Sequence, residues 1–137
     1  MNPRPWSKAW QPLVEAAGTA LRHARGRIGW AAAVEDDAGQ VNVGISVSIP
    51  DLPAASLCAE QIAVARSRLS GGRAVRRIVV VTVDANQAGP PCGRCLQILR
   101  EFGADLEVRW GTVDEQRGGE RIGRLLPRAF LDYRTSS

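Results

Sequence analysis

Pro90-Pro91-Cys92-Gly93-Arg94-Cys95, taken together with Leu57-Cys58-Ala59-Glu60 upstream, is the stretch around which the chain is organised. Two cysteines three positions apart share one face of a helix, and Cys58 with Glu60 two residues later opens another predicted helix. Three thiolates and one carboxylate are thereby set to converge. Thiolate sulfur binds zinc tetrahedrally, and a catalytic zinc keeps three protein ligands and one open position. Cys58, Cys92 and Cys95 are the predicted ligands of a Zn²⁺ cofactor, and Glu60 is the predicted base beside the open position.

Two blander readings compete with this one. A closed zinc site that only braces the fold needs a fourth protein ligand, and the chain has three cysteines and one histidine, His23, distant in sequence. A redox C-x-x-C pair leaves Cys58 and Glu60 unexplained. His23 reads as a cation near a helix end.

Working outward, Arg77 to Val83 is nearly all β-branched, the composition of a strand covered on both faces. Asp84 to Gly89 is a loop that delivers the Pro-Pro-Cys turn and a helix to Phe102, stopped by Gly103. Strands are predicted at Leu106 to Trp110 and at about Arg121 to Leu125. About ten residues, most of them polar, separate them, too few for a parallel crossover, so a hairpin is expected. Upstream, Ser56 is the predicted cap of a helix running from about Leu57 to Leu69, which Gly71-Gly72 ends. Ile28 to Val34 and Val41 to Val47, joined across Glu35 to Gly39, form a predicted β-hairpin. Pro12 opens a predicted helix whose apolar face includes Leu13, Val14, Ala17 and Leu21 and whose arginine-rich end suits the helix dipole. The fold class is α/β, a three-layer α/β/α arrangement on a five-stranded mixed sheet whose last two strands are antiparallel.

Length sets one domain over residues 1–137, with 1–11 an irregular N-terminal segment. An odd cysteine count, with two of the three in C-x-x-C, suits a reducing compartment, and the N-terminus lacks the apolar core of a signal peptide. A cytoplasmic protein with no membrane partner is expected. The net charge of +4 comes from arginines scattered along the chain, Lys8 being the single lysine, so no nucleic-acid partner is expected.

C-A-E followed by P-C-G-R-C is the order in which zinc deaminases carry their ligands and base, and at these residues the chain resembles the small cytidine deaminase family. Cys95-Leu96-Gln97-Ile98-Leu99-Arg100-Glu101-Phe102 looks like the family's second metal-bearing helix, and Leu125-Leu126-Pro127-Arg128-Ala129-Phe130 like its closing segment. The resemblance spans roughly residues 12 to 130. It implies hydrolytic deamination, with Glu60 passing the proton of water to a ring nitrogen and then to departing ammonia. The hairpin between the last two strands favours the free-nucleoside branch over nucleic-acid editors.

Several positions depart from the pattern. Gln61 and Leu96 stand where many members carry arginine, which weakens the offset of the thiolate charge. The family's G-x-N-x-E, whose Asn and Glu hold ribose, aligns with Gly44-Ile45-Ser46-Val47-Ser48, so Ser46 and Ser48 replace them. The family's stacking aromatic aligns with Ile28, and Trp30 on the same strand face takes the role or serves as core filler. Asp51 is a candidate replacement carboxylate, and Ala59 lies between ligand and base. Phe130 fits the C-terminal aromatic that closes a neighbour's site, which implies a homo-oligomer, a tetramer or dimer; its plainer reading is a C-terminal anchor. The expected substrate is an aminated pyrimidine nucleoside or related aminated base. The alternatives are a non-standard substrate, whether a free base, an aminopurine or a nucleoside antibiotic, and a non-catalytic zinc-stabilised module that binds a nucleoside.

Overall fold

The structure is a computed structural model that describes residues 2–23, 29–72 and 74–131. The chain runs α1 (Gln11–His23), β1 (Trp30–Asp36), β2 (Val41–Ile45), α2 (Ala59–Leu69), β3 (Val75–Thr82), α3 (Gly93–Phe102), β4 (Glu107–Gly111), β5 (Gln116–Arg121) and α4 (Ile122–Leu125). One five-stranded sheet has the order β2-β1-β3-β4-β5. β1 pairs antiparallel with both β2 and β3, β3 pairs parallel with β4 across the α3 crossover, and β4 pairs antiparallel with β5. The mixed α/β sheet with its closing hairpin is the one expected.

Alternation along the strands divides the core in two. Ala31, Ala33, Val79 and Val81 face Leu13, Val14 and Ala17 of α1. Their neighbours Ala32, Val34, Ile78 and Val80 face Ala63 and Val64 of α2 and Leu96 and Leu99 of α3. A sheet covered on both sides explains why β3 reads as an unbroken apolar run. At Gly44 in β2 the strand lies directly against α2: a Cβ there would collide with the Ala59 carbonyl and the Ala63 amide and would lie 2.9 Å from Ile62 Cβ. This close approach fixes the height of α2, and with it the start of the helix that carries Cys58 and Glu60.

The segment ahead of α1 is packed against the rest of the chain. Trp6 and Trp10 are 7% and 3% exposed, and Trp6 Nε1–H donates to the Thr112 carbonyl at 2.8 Å. The guanidinium groups of Arg77 and Arg109 lie over the Trp10 ring, 4.9 and 4.4 Å from its centroid, and Arg77 in turn grips Glu35 at 2.7 Å.

Strand ends shift by a residue or two from expectation, and two boundaries differ for reasons the structure shows. α2 begins at Ala59 with Cys58 as its cap, while the Ser56 hydroxyl accepts from the Ile49 N–H at 2.9 Å and braces the preceding loop. β5 covers Gln116–Arg121 rather than Arg121 to Leu125, and residues 122–125 form a helical turn. Gly118-Gly119 reads as loop because glycine is poor in strands, but the Trp110 ring folds over Gly118 and Arg109 Cγ lies 2.9 Å from where a Cβ of Gly119 would sit. Cross-strand side chains fill the space that side chains at 118 and 119 would occupy.

Candidate active site

The C-terminal end of β3 and the starts of α2 and α3 meet at one point. Cys58 and Cys92 are the caps of α2 and α3, both with extended backbone (φ −80°, ψ 150° and φ −66°, ψ 165°). Cys95, one turn into α3, is fully buried, and the three Sγ atoms all lie within 4.8 Å of one another. Three sulfurs at zinc bonding distance in a tetrahedron sit about 3.8 Å apart, so the cluster has the size the ion requires. The thiol chemistry of the donor set fits zinc. Glu60, the second residue of α2, is 6% exposed, and its carboxyl faces the Cys95 thiol.

A cavity of about 290 Å³ opens in front of these groups. It is lined by Cys58, Ala59, Glu60 and Cys92 at its floor and by Trp30, Val80, Pro91, Val47 and Leu57 along its walls. Ser46, Ser48 and Ser56 also reach it.

No family model matches the chain. Among curated proteins, the cytidine deaminase of Mycobacterium tuberculosis is 34% identical over 116 residues, 84% of this chain and 80% of that protein. The chain belongs to the cytidine deaminase family. Cytidine deaminase 3 of Arabidopsis thaliana is 33% identical over 73 residues, and the match spans only 33% of that plant protein. Among solved structures, the cytidine deaminase of Burkholderia pseudomallei superposes with a TM-score of 0.74 at 30% identity, covering 91% of this chain and 100% of that one. The Mycobacterium tuberculosis enzyme gives 0.72 at 29% identity over 92% and 100%. Membership makes the chain a deaminase of the cytidine type, a hydrolase of C–N bonds in cyclic amidines.

Electrostatics within the cluster are uneven. Burial pushes the Cys95 thiol well above the usual thiol range, and the Glu60 carboxylate adds to the effect. Burial likewise raises Cys58, against a favourable contact from Cys95. Cys92 is also partly desolvated, but the backbone N–H groups of Cys95 and Arg94 at the start of α3 favour its thiolate and bring it below the ordinary value. Ligation needs thiolates, so loading a cation here releases protons. Burial lifts the Glu60 carboxyl above the usual carboxylate range.

The family departures acquire a structural account. Gln61 Oε1 accepts from the Cys58 N–H at 2.8 Å and from Arg94 Nη2 at 3.0 Å, so one amide oxygen ties the cap of α2 to a guanidinium in the first turn of α3. The positive charge that the sequence at 61 lacks comes instead from Arg94, which sequence reasoning passed over; its place between Cys92 and Cys95 was the available signal. Leu96 is 6% exposed and packs in the core with Leu99 and Val80.

Of the expected substrate contacts, Trp30, Ser46, Ser48 and Ala59 line the cavity. Ile28 lies outside the described residues. Asp51 does not line the cavity; it stands exposed in the turn closed by the Leu52 N–H to Ile49 carbonyl bond, which carries it away. Phe130 does not line this chain's cavity either: its ring is 78% exposed, while its backbone exchanges two hydrogen bonds with the Gln97 side chain at 2.7 and 2.9 Å. His23 is exposed at the end of α1, apart from the cysteine cluster. The cavity walls formed by Val47, Leu57 and Pro91 from loops and Val80 from β3 carry no sequence signature, because apolar residues there resemble ordinary core.

Proposed function

We propose that the chain is a zinc-dependent hydrolytic deaminase that converts an aminated pyrimidine nucleoside, or a related aminated base, to its oxo product and ammonia. Cys58, Cys92 and Cys95 hold the ion and Glu60 moves the protons. The observation that carries this reading is the convergence of three thiols, of which Cys58 and Cys92 line one open cavity, with the buried Glu60 carboxyl at the same place. When bound there, zinc supplies Lewis-acid activation of water near neutral pH. Trp30 and Val80 hold the substrate ring by its face, and the apolar walls keep bulk water from the reacting carbon. The Glu60 carboxylate takes a proton from water as oxygen adds to the amine-bearing carbon, and delivers it to the adjacent ring nitrogen. It then carries the second proton of that water to the amine nitrogen as the C–N bond breaks. Water is consumed, one C–O bond replaces one C–N bond, and ammonia leaves.

The same reading places the enzyme in a reducing, cytoplasmic compartment where its three free thiols survive. It also places it in a homo-oligomer, a reading supported by the exposed apolar side chains Leu52 (60%) and Phe130 (78%). None of the described helices is long and apolar enough to cross a membrane. The test is ammonia release by the zinc-loaded protein from cytidine, cytosine, isocytosine, guanine and an aminated antibiotic nucleoside. Release from any of these supports the assignment. Stoichiometric zinc with no ammonia from any of them supports the non-catalytic module instead.

A further inference from the structure

We infer, resting on the deaminase reading above, that Ser46 is a positioning residue: its hydroxyl parts β2 from β1 and so opens the cavity between Trp30 and Leu57, the residue that leads into Cys58. In an antiparallel ladder, every second facing pair exchanges two N–H···O=C bonds. Asp36, whose N–H donates to the Gln40 carbonyl at 3.0 Å, starts such a set, and the register carries it through Val34–Asn42 and Ala32–Gly44 to Trp30 opposite Ser46. The Ser46 N–H does donate to the Trp30 carbonyl, at 2.9 Å. The return bond is different. The Trp30 N–H donates to Ser46 Oγ at 3.1 Å, in place of the Ser46 carbonyl, and the hydroxyl in turn donates to the Trp30 carbonyl at 3.4 Å. A serine side chain that satisfies a backbone N–H in this way competes with the ladder and ends it.

Released from β1, the chain takes a new partner one residue later. Val47 and Leu57 exchange both backbone bonds at 2.9 Å, and the Ile49 N–H donates to Ser56 Oγ at 2.9 Å. Leu57 directly precedes Cys58, the cap of α2. The cavity lies where the two pairings diverge: Trp30 and Ser46 line it from the first, Val47 and Leu57 from the second. Trp30 is also anchored from β3, where it faces Thr82, and the Thr82 hydroxyl donates to the Gly29 carbonyl at 2.6 Å. With that wall fixed in the sheet, the hydroxyl at 46 sets where the other wall and Cys58 stand. In its absence the Trp30 N–H turns to the carbonyl of residue 46, the ladder extends by one pair, and Val47 is drawn off Leu57. Ser46, which alignment with the family's ribose-binding pattern offers to a sugar, thus acts on the chain itself.

The experiment uses the zinc-loaded full chain beside Ser46→Ala, Ser46→Thr and Ser46→Val. Amide hydrogen exchange is read residue by residue, and kcat/KM from ammonia release on whichever of cytidine, cytosine, isocytosine and guanine reacts fastest. Losing the hydroxyl should quicken exchange at the Val47 and Leu57 amides by about five- to tenfold, while the Ala32 and Val34 amides hold. It should also lower kcat/KM by at least about tenfold, since a displacement of about 1 Å at a catalytic group costs on the order of 10². Threonine and valine are equal in shape and differ in the hydroxyl, so Ser46→Thr should match the unaltered chain and Ser46→Val should match Ser46→Ala. A loss of rate with unchanged exchange at Val47 and Leu57 would put the hydroxyl on the substrate and overturn the inference. So would quickened exchange with full rate, no change in either, or a loss in Ser46→Thr as large as in Ser46→Val. Each of these leaves the deaminase reading intact. No ammonia from the unaltered chain on any of the four compounds or the antibiotic nucleoside overturns both.

Discussion

Gly44→Ala tests whether the height of α2 over the sheet is set by the bare backbone of β2. The added methyl would collide with the Ala59 carbonyl and the Ala63 amide, backbone atoms that cannot rotate away, and would lie 2.9 Å from Ile62 Cβ. Carbon atoms pack at about 3.5–4.0 Å, so α2 must retreat by roughly 0.6 to 1.1 Å. Overpacking of this kind costs about 1–3 kcal/mol. For a chain of this length each kcal/mol lowers Tm by roughly 3 to 5 °C. The functional cost is expected to exceed the stability cost. Cys58 and Glu60 ride on the first residues of α2, and a displacement of about 1 Å at a catalytic group costs on the order of 10² in rate. Thermal unfolding followed by circular dichroism gives the first quantity, and kcat/KM at a temperature where the variant is folded gives the second. A variant with unchanged Tm and full activity would refute the claim that strand and helix meet here without room for a side chain.

Other consequences follow from single contacts. Gln61→Leu removes the acceptor shared by the Cys58 N–H and Arg94, and zinc transfer to a chelator should quicken by about 10–100-fold while the fold persists; an unchanged rate would deny the tie any role. Trp10→Ala empties a site that is 3% exposed and frees two guanidinium groups, with an expected loss of about 3–5 kcal/mol in urea denaturation, whereas a loss below ~1 kcal/mol would show that the N-terminal segment is not part of the core. Gln97→Ala removes both bonds to the Phe130 backbone, so the Phe130 amide should exchange with solvent faster by hydrogen-exchange measurement while the core amides hold; an unaltered Phe130 would mean that other contacts fix the closing segment.

The cluster of three cysteines and the buried Glu60 beside it were legible because metal and proton chemistry demand fixed residue types at fixed spacing, and the sheet was legible because β3 is apolar on both faces. The parts that were not legible depend on who covers whom. Gly118-Gly119 is strand because Trp110 and Arg109 fold across it, a relation between two strands that no local pattern records. Ser56 looks like a helix cap by type, yet its hydroxyl is claimed by Ile49 and the cap passes to Cys58. Trp6 and Trp10 lie in an irregular segment with no periodicity to announce their burial. Ser46 was a candidate by its alignment with the family's ribose-binding pattern and Asp51 as a replacement carboxylate in the loop that follows; the structure engages the first with Trp30 and carries the second outward.

The central claim is that Glu60 is the proton carrier of a thiol-held zinc centre. Ammonia release and zinc content measured together on Glu60→Gln test it most directly. Turnover is expected to fall by about 10²–10⁴-fold while one equivalent of zinc stays bound. Undiminished turnover with zinc in place would contradict it.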